Sequence, residues 1–186
     1  MDKDPEYSLD EIKIGFKTSF QVTITESMLN DFAKLSGDYN PLHMNKELPE
    51  YSLNEIEIGF KKNFEITITE SMLNDFAKLS GDYNPLHMNE EYASSTSFKK
   101  RVCSGMFLAT FFSRLVGMYL PGKHALYFSQ SLNFVNPCFI GDTITVEGEV
   151  IDKSIATKII TLRTTITDKS NKRIIDGEAR VIIRDD

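Results

Sequence analysis

The stretch "SGMFLATFFSRLVGMYL" (Ser104–Leu120) decides the fold of this chain. It is apolar on nearly every helical face and is broken only by Ser104, Thr110, Ser113 and Arg114. A helix of that kind must be covered by other parts of the protein. Its apolar run of 16 residues includes a charge, whereas a membrane span needs roughly 20 apolar residues. The stretch therefore predicts a helix buried in a protein core.

The last third of the chain is predicted to supply the strands that cover this helix. Alternating apolar and polar residues predict strands over Ala125–Val135, Thr143–Ile151, Thr157–Asp168 and Arg173–Arg184. The turn-forming stretches "NP", "GD" and "KSNK" separate them. One long buried helix against a run of antiparallel strands predicts an α+β fold.

The segment before the buried helix is predicted to contain one strand, one short helix and one long loop. The strand is predicted over Phe64–Thr69, and the helix follows from Glu70 with Thr69 as its N-cap and Gly81 just past its end. Residues 82–101 are then predicted to be irregular. Long loops inside compact domains are often functional.

The front of the chain is a sequence repeat. Residues 5–45 align without a gap to residues 49–89, with 35 of 41 positions identical. All six differences precede the predicted helix. The repeated unit is predicted to be a strand plus a helix, which cannot bury its apolar face alone. We therefore predict that residues 1–48 are an extra copy, not an independent domain, and that residues 49–186 form the folded domain.

Composition limits the class of protein. The chain has 186 residues, 41% of them apolar, and a net charge of −6. This suits one domain with a real core, and the acidity argues against sequence-independent nucleic-acid binding. Cys103 and Cys138 show neither metal-ligand spacing nor a disulfide framework. With no apolar segment near the N-terminus, we expect a cytoplasmic protein with reduced thiols, neither secreted nor attached to a membrane.

The stretch "SGDYNPLHMN" occurs in both copies and contains a candidate site. It places an acid and a histidine five positions apart, as Asp38 with His43 and as Asp82 with His87. A positioned carboxylate and imidazole can carry out proton transfer. The alternative is a turn aspartate with an ordinary loop histidine, and the spacing alone does not separate the two. A metal site would need further ligands in register, and none is evident.

A longer motif resembles a known family. "SGDYNPLHMNEEYASSTSFKKRVCSGMFLATFFSRLVGMYLPG" (Ser80–Gly122) and "YFSQSLNFVNPCFIGDTITV" (Tyr127–Val146) resemble the MaoC-like, R-specific enoyl-CoA hydratases. The resemblance spans about residues 51–186 and implies a hot-dog fold, in which a curved antiparallel sheet wraps one long helix. It also implies a homodimer or higher homo-oligomer. One departure is Ser104, because the family usually has a histidine before the first glycine of the helix.

The resemblance implies a chemistry for particular residues. The family hydrates trans-2-enoyl-CoA reversibly, with coenzyme A as part of the substrate and no separate cofactor. Asp82 would orient water or act as base, and His87 would share that water and move its proton. Asn84 would hold the loop, Gly105 would contact the thioester oxygen, and Ser113 would lie near the site. The alternatives are a plain turn at Asn84, close packing at Gly105 and a bond from Ser113 to its own helix.

Further positions are candidates for substrate contacts. Three apolar residues of the buried helix are candidates for the acyl pocket: Leu115, Val116 and Met118. Four basic residues flank the helix and could meet the phosphates of coenzyme A or an acidic carrier protein: Lys99, Lys100, Arg101 and Lys123. A solvated charge run is the alternative for these four.

Two other functions remain open from sequence. One is a 3-hydroxyacyl dehydratase acting on acyl carrier protein, and the other is a non-catalytic module that binds acyl thioesters. Thioesterases share the hot-dog scaffold, but they do not carry the "GDYNPLH" loop and rank lower.

The second copy is predicted to build the active site, because only this copy leads directly into the buried helix. The pair Asp38 and His43 is expected to be inactive. We expect the first copy to pack on the outside of the sheet or to exchange into a partner chain, since an identical mobile element invites swapping.

Overall fold

A computed structural model describes residues 7–39 and 49–185 of the chain. Its centre is one antiparallel sheet in the order β1-β4-β5-β6-β2, with the short strand β3 also paired to β6. The strands are β1 (Lys61–Thr67), β2 (Ala125–Gln130), β3 (Asn133–Phe134), β4 (Thr143–Ser154), β5 (Ile159–Asp168) and β6 (Arg173–Ile183).

Five helices accompany the sheet in the described parts of the chain: α1 (Glu26–Ser36), α2 (Glu70–Ser80), α3 (Pro85–Met88), α4 (Glu90–Ser95) and α5 (Gly105–Met118). The longest, α5, is the predicted buried helix and contacts β1, β2, β4 and β6. Its aromatic residues Phe107, Phe111 and Phe112 are almost fully buried. This confirms the predicted α+β layout of one long helix against an antiparallel sheet. No helix of the described ranges is long and apolar enough to cross a membrane.

The alternation of the strands gives the sheet its buried face. In β4, every second residue from Ile144 to Val150 is buried, and the partners of Val146 and Val150 in β5 are Ile166 and Leu162. These side chains form two apolar clusters with α5. Fully burying one such side chain contributes about 1.5–3 kcal/mol to stability, so the sheet and α5 hold each other in place.

The predicted strand Ala125–Val135 is interrupted, which corrects the sequence interpretation. It divides into β2 and β3, and Ser131 lies between them. The N–H of Ser131 donates to Glu178 O at 2.9 Å, whereas the N–H of Glu178 donates to the Ser131 hydroxyl at 3.0 Å. A side-chain oxygen thus replaces a backbone carbonyl in the ladder, and the regular pairing stops there.

The predicted loop over residues 82–101 contains two short helices, which is a second correction. Asn84 caps α3 by accepting from Leu86 N at 2.9 Å, and Pro85 occupies its first turn. Asn89 caps α4 in the same way by accepting from Tyr92 N at 2.9 Å. Asparagine is among the best N-cap residues, so these two positions carried a signal that the loop interpretation overlooked.

The first copy forms its helix but not its strand. α1 has the predicted bounds and cap, whereas residues 17–24 have no strand structure, so the predicted N-terminal strand is wrong. By its sequence this segment would pair with β4 as β1 does, and that edge of β4 is already paired with β1 of the second copy. From the first copy, Leu35 enters the buried core. The division into residues 1–48 and 49–186 stays a prediction.

Candidate active site

The candidate site begins where α2 ends. Gly81 has φ 77°, a left-handed conformation that favours glycine and turns the chain out of the helix. The N–H of Asp82 then donates to Ser80 Oγ at 3.1 Å, and the N–H of Asn84 donates to Asp82 Oδ1 at 3.3 Å. These local bonds fix the backbone of the loop and hold one oxygen of the Asp82 carboxylate.

His87 is anchored to the segment that leads into α5. Its Nδ1 lies 2.8 Å from the carbonyl oxygen of Val102, and the N–H of Val102 donates to Leu86 O at 3.2 Å. A carbonyl oxygen only accepts hydrogen bonds, so the proton of a neutral His87 lies on Nδ1. Its Nε2 is then left as a hydrogen-bond and proton acceptor.

Ser104 connects Asp82 to the start of α5. Its hydroxyl donates to Asp82 Oδ2 at 3.2 Å and makes no capping bond to the helix, although Ser104 occupies the N-cap position. Ser104 is buried. Ser104, the residue that departs from the family pattern, therefore contacts Asp82, the acid of the predicted pair.

Gly105 is the first residue of α5, and its N–H has no acceptor within the helix. The partial positive charge at the N-terminus of a helix favours an oxyanion there. The ring of Phe134 lies over this glycine, so an added Cβ would approach Phe134 Cδ1 to 2.6 Å. Close packing and a free donor are thus both present at Gly105.

A cavity of about 460 Å³ opens beside these groups. Its polar lining includes His87, Ser104 and Gly105, and the remainder is largely apolar or backbone. The other lining residues are Phe98, Val102, Cys103, Met106, Leu108, Phe134, Val135, Asn136, Pro137, Cys138, Ile174 and Ile175. An apolar cavity with a few convergent polar groups is the usual form of a small-molecule site.

Several predicted residues lie away from this cavity. Leu115 is buried against Gly148 of β4, and Val116 belongs to the second core cluster, so neither is among its lining residues. Met118, at the end of α5, is not among them either. Ser113 lies two turns beyond the start of α5, and its hydroxyl donates to Asp38 Oδ2 at 2.5 Å.

The four basic residues that flank α5 differ in whether they already pair with carboxylates. The Lys100 ammonium lies 4.0 Å from the centre of the Phe139 ring, and the exposed Lys99 has φ 65°. The Arg101 guanidinium pairs with Glu70 and Glu90. Lys123 donates to Glu50 at 2.6 Å and lowers the pKa of that carboxyl. Arg101 and Lys123 are therefore engaged by carboxylates of their own chain.

The first copy of the motif is only partly described. Asp38 accepts from Ser113 and lies beside Gly117 of α5, away from the cavity that contains His87. His43 lies outside the described residues. The structure therefore places Asp82, His87, Ser104 and Gly105 around one region, and it places Asp38 with Ser113 in another.

The sequence interpretation missed most of the cavity wall. Phe134 and Cys138 come from "NFVNPC" (residues 133–138), whose pattern predicts only a strand and a turn. Cys103 and Cys138 are both buried in this wall. The hydrogen bond with Cys138 and burial raise the pKa of the Cys103 thiol, so it stays protonated and is a poor nucleophile.

Comparison with known proteins shows which family this chain resembles. Residues 51–172 match the family model described as "MaoC like domain". The chain is 43% identical over 174 residues to an (R)-specific enoyl-CoA hydratase of Rhodospirillum rubrum, covering 94% of this chain and 90% of that protein. A 3-hydroxybutyryl-CoA dehydratase of Methylorubrum extorquens is 34% identical over 172 residues, covering 92% of this chain and 81% of that protein.

A solved relative has the same fold. The (R)-hydratase from A. caviae, described as involved in PHA biosynthesis, superposes with a TM-score of 0.67 at 38% identity. The match covers 98% of that chain but 69% of this one. This confirms the hot-dog architecture, and it shows that nearly all of a solved relative corresponds to about two thirds of the present chain.

Proposed function

Because the chain belongs to the MaoC-like domain family and is a hydro-lyase of the enoyl-CoA hydratase and dehydratase type, we propose that it catalyses the reversible, R-specific syn hydration of trans-2-enoyl-CoA. Asp82 and His87 are the proposed catalytic pair. The observation that carries this proposal is the loop geometry. The bonds of Asp82 to Ser104 and of His87 to Val102 fasten both side chains to the segment that starts α5.

His87 is suited to move the proton of water. Its Nδ1 is committed to the Val102 carbonyl, so Nε2 of the neutral ring can accept a proton as water attacks the β-carbon. In the dehydration direction the same nitrogen returns that proton to the leaving hydroxyl. In hydration, protonated Nε2 then delivers the proton of that water to the α-carbon on the same side of the double bond, so the hydroxyl and the hydrogen add to one face.

Asp82 is suited to orient that water. Its two oxygens accept from the Asn84 N–H and the Ser104 hydroxyl, and a carboxylate oxygen can accept more than one hydrogen bond. A water held by Asp82 and His87 together would be oriented for attack. Asn84 contributes by capping α3 and thereby fixing the position of His87.

Gly105 is suited to stabilise the thioester oxygen. Its N–H lacks a helical acceptor, and the dipole of α5 adds positive potential at that point. Addition of water to the β-carbon moves negative charge onto this oxygen, so a preorganised donor there lowers the barrier.

The proposed substrate is an acyl-CoA thioester, whose acyl chain would enter the apolar cavity lined by Leu108, Val135 and Ile175. The exposed Lys99 and Lys100 remain candidates for the phosphates of coenzyme A. No cofactor beyond the substrate's coenzyme A is proposed, and the cytoplasmic location stays a prediction. We also propose that the repeat arose by tandem duplication, with the second copy building the site.

A direct assay tests the function. We expect purified full-length chain to consume crotonyl-CoA, seen as loss of absorbance of the conjugated thioester, and chiral chromatography to identify (R)-3-hydroxybutyryl-CoA. His87→Gln should lower kcat/KM by about 10²–10⁴-fold. Ser104→Ala should cost less, because it removes a contact to Asp82 and leaves the carboxylate in place.

Other outcomes would favour the alternative functions. Turnover only with the crotonyl thioester of acyl carrier protein would identify a carrier-protein dehydratase. Tight binding of acyl-CoA without turnover would indicate a binding module and would contradict the proposed hydratase.

A further inference from the structure

The two copies of the repeated helix lie next to each other and line one groove with the same residues. α1 and α2 line one groove whose walls are four matched pairs: Met28 with Met72, Asp31 with Asp75, Lys34 with Lys78, and Leu35 with Leu79. Each pair occupies one position of the repeat, 44 residues apart. A contact in which both sides use the same patch is isologous, as between the subunits of a twofold-symmetric dimer. Within one chain, α1 therefore packs on α2 as a second copy of α2 would.

The end of α1 fits closely onto one surface of α5, the Ser113 face, which comprises Ser113, Arg114 and Gly117. The Ser113 hydroxyl donates to Asp38 at 2.5 Å. A Cβ added to Gly117 would lie 2.6 Å from Asp38 Oδ1, and one added to Gly37 would lie 2.9 Å from Arg114 Cδ. The two glycines thus allow a close approach that larger residues would prevent.

The second copy in the same chain does not occupy this surface. Asp82 is bonded to Ser104, and Ser104 precedes Ser113 by nine positions, which is roughly 13 Å along a helix. The sequence "LSGD" is the same at Leu35–Asp38 and Leu79–Asp82. A surface that binds residues 35–38 would also bind residues 79–82, but residues 79–82 would have to come from another chain.

We propose that α1 and Leu35–Asp38 act as an intramolecular substitute for a second copy of this chain. They occupy the place on the Ser113 face that residues 79–82 of a partner copy would take, and they exclude pairing through that face. The rotation that superposes α2 on α1 can be applied to a whole second chain. It would then place the partner's Asp82 where Asp38 lies, beside Ser113. The tether favours the internal copy, because binding of a segment of the same chain is intramolecular, whereas a partner copy must bind from solution.

Cysteine cross-linking in the full-length chain tests the first half of this proposal. Asp38→Cys combined with Ser113→Cys should form a disulfide within one chain. The oxidised protein should run at the 21.2 kDa monomer mass, with a 38–113 cross-linked peptide found by mass spectrometry. Asp82→Cys combined with Ser113→Cys should give at least ten-fold less cross-link, because the Ser113 face is already occupied.

Displacing α1 from the Ser113 face tests the second part of the proposal, that α1 excludes a partner copy. Leu35→Glu places a charge at a buried position of α1 and should displace the helix. Added to the Asp82→Cys and Ser113→Cys pair, it should produce a disulfide between chains at twice the monomer mass. The matched control is Leu29→Glu on the same helix, a half-exposed position outside the groove, which should give no interchain link.

Three results would overturn the proposal. They are a 38–113 disulfide formed mainly between chains, no such disulfide at all, and an opened variant that keeps its circular dichroism spectrum without gaining the interchain link. Gly37→Val, which crowds Arg114, provides a second opening variant should Leu35→Glu fail to fold. None of these measurements depends on hydratase activity.

Discussion

The two copies of the repeat share one sequence from Thr23 and Thr67 onward but have different surroundings. Leu73 is 3% exposed and its counterpart Leu29 is 50% exposed, and Phe64 is 8% exposed against 85% for Phe20. Both copies nevertheless form the same helix. Helix formation is therefore decided by local sequence, whereas strand formation depends on an available partner edge.

The local signals work equally in both copies. Thr25 accepts from Met28 N at 3.3 Å, and Thr69 accepts from Met72 N at 3.4 Å. Both helices end at a left-handed glycine, with φ 76° at Gly37 and 77° in the second copy. These caps need no tertiary partner, so the helix survives in the copy that lacks a strand.

Activity gives the largest expected difference between the copies. Asp82→Asn removes the proposed catalytic carboxylate and should lower kcat/KM for crotonyl-CoA hydration by about 10²–10⁴-fold. Asp38→Asn should leave nearly wild-type activity, because this residue lies beside Ser113 and away from the cavity. If both single variants stay active and only the double variant is inactive, the copies are interchangeable and the assignment to Asp82 is wrong.

The second largest difference between the copies should be in the free energy of unfolding. Leu73→Ala creates a cavity in the core and should lower the free energy of unfolding by about 2–5 kcal/mol. Leu29→Ala should change it by less than about 0.5 kcal/mol, as is usual for surface positions. Urea denaturation of both variants makes the comparison, and equal losses would mean that the first copy also packs in a core.

The helix caps should show a smaller effect. Thr69→Ala removes a cap from a helix packed in the core and should cost about 1 kcal/mol of global stability. Thr25→Ala should loosen α1 locally and leave global unfolding almost unchanged, since the described first copy adds one apolar side chain, Leu35, to the core. Thermal unfolding of the two variants measures the difference. A larger loss from Thr25→Ala would make α1 part of the cooperative unit.

The smallest difference between the copies should be in the pKa values of two matched carboxyls, Glu11 and Glu55. Hydrogen bonds from the Ser8 backbone and hydroxyl lower the pKa of Glu11, and bonds from the Ser52 hydroxyl and backbone lower the pKa of Glu55. Stability from each bond is present above the ordinary carboxyl pKa and is lost as pH falls through the lowered one. NMR titration should find both values lowered. An ordinary value for Glu11 alone would mean that this turn does not form in the first copy.

The sequence predicted the core of the fold because its signals were periodic and local. The all-apolar stretch of α5, the alternation in β4 and the caps of α2 each specify an element without reference to distant residues. The interruption at Ser131 was not predicted, because it depends on a side chain replacing a backbone acceptor in a strand 47 residues away.

The loop residues of the candidate site could be predicted from the sequence, but the residues that line its cavity could not. Asp82, His87 and Gly105 were identified from a contiguous motif. The apolar wall brings together residues from β3 and β6 with the start of α5, a juxtaposition that the pairing of the sheet creates. The contact between Asp38 and Ser113 was also missed, because it joins residues 75 positions apart.

Hydrogen exchange followed by mass spectrometry tests the difference between the copies most directly. The sequence changes between the two strand regions, such as Thr18 against Lys62 and Gln21 against Glu65, give their peptides different masses. We expect the amides of residues 61–67 that pair with β4 to be protected and those of residues 17–23 to exchange like an open chain. Protection of residues 17–23 equal to or greater than that of residues 61–67 would show that the first copy fills the sheet and would contradict the assignment of the site to the second.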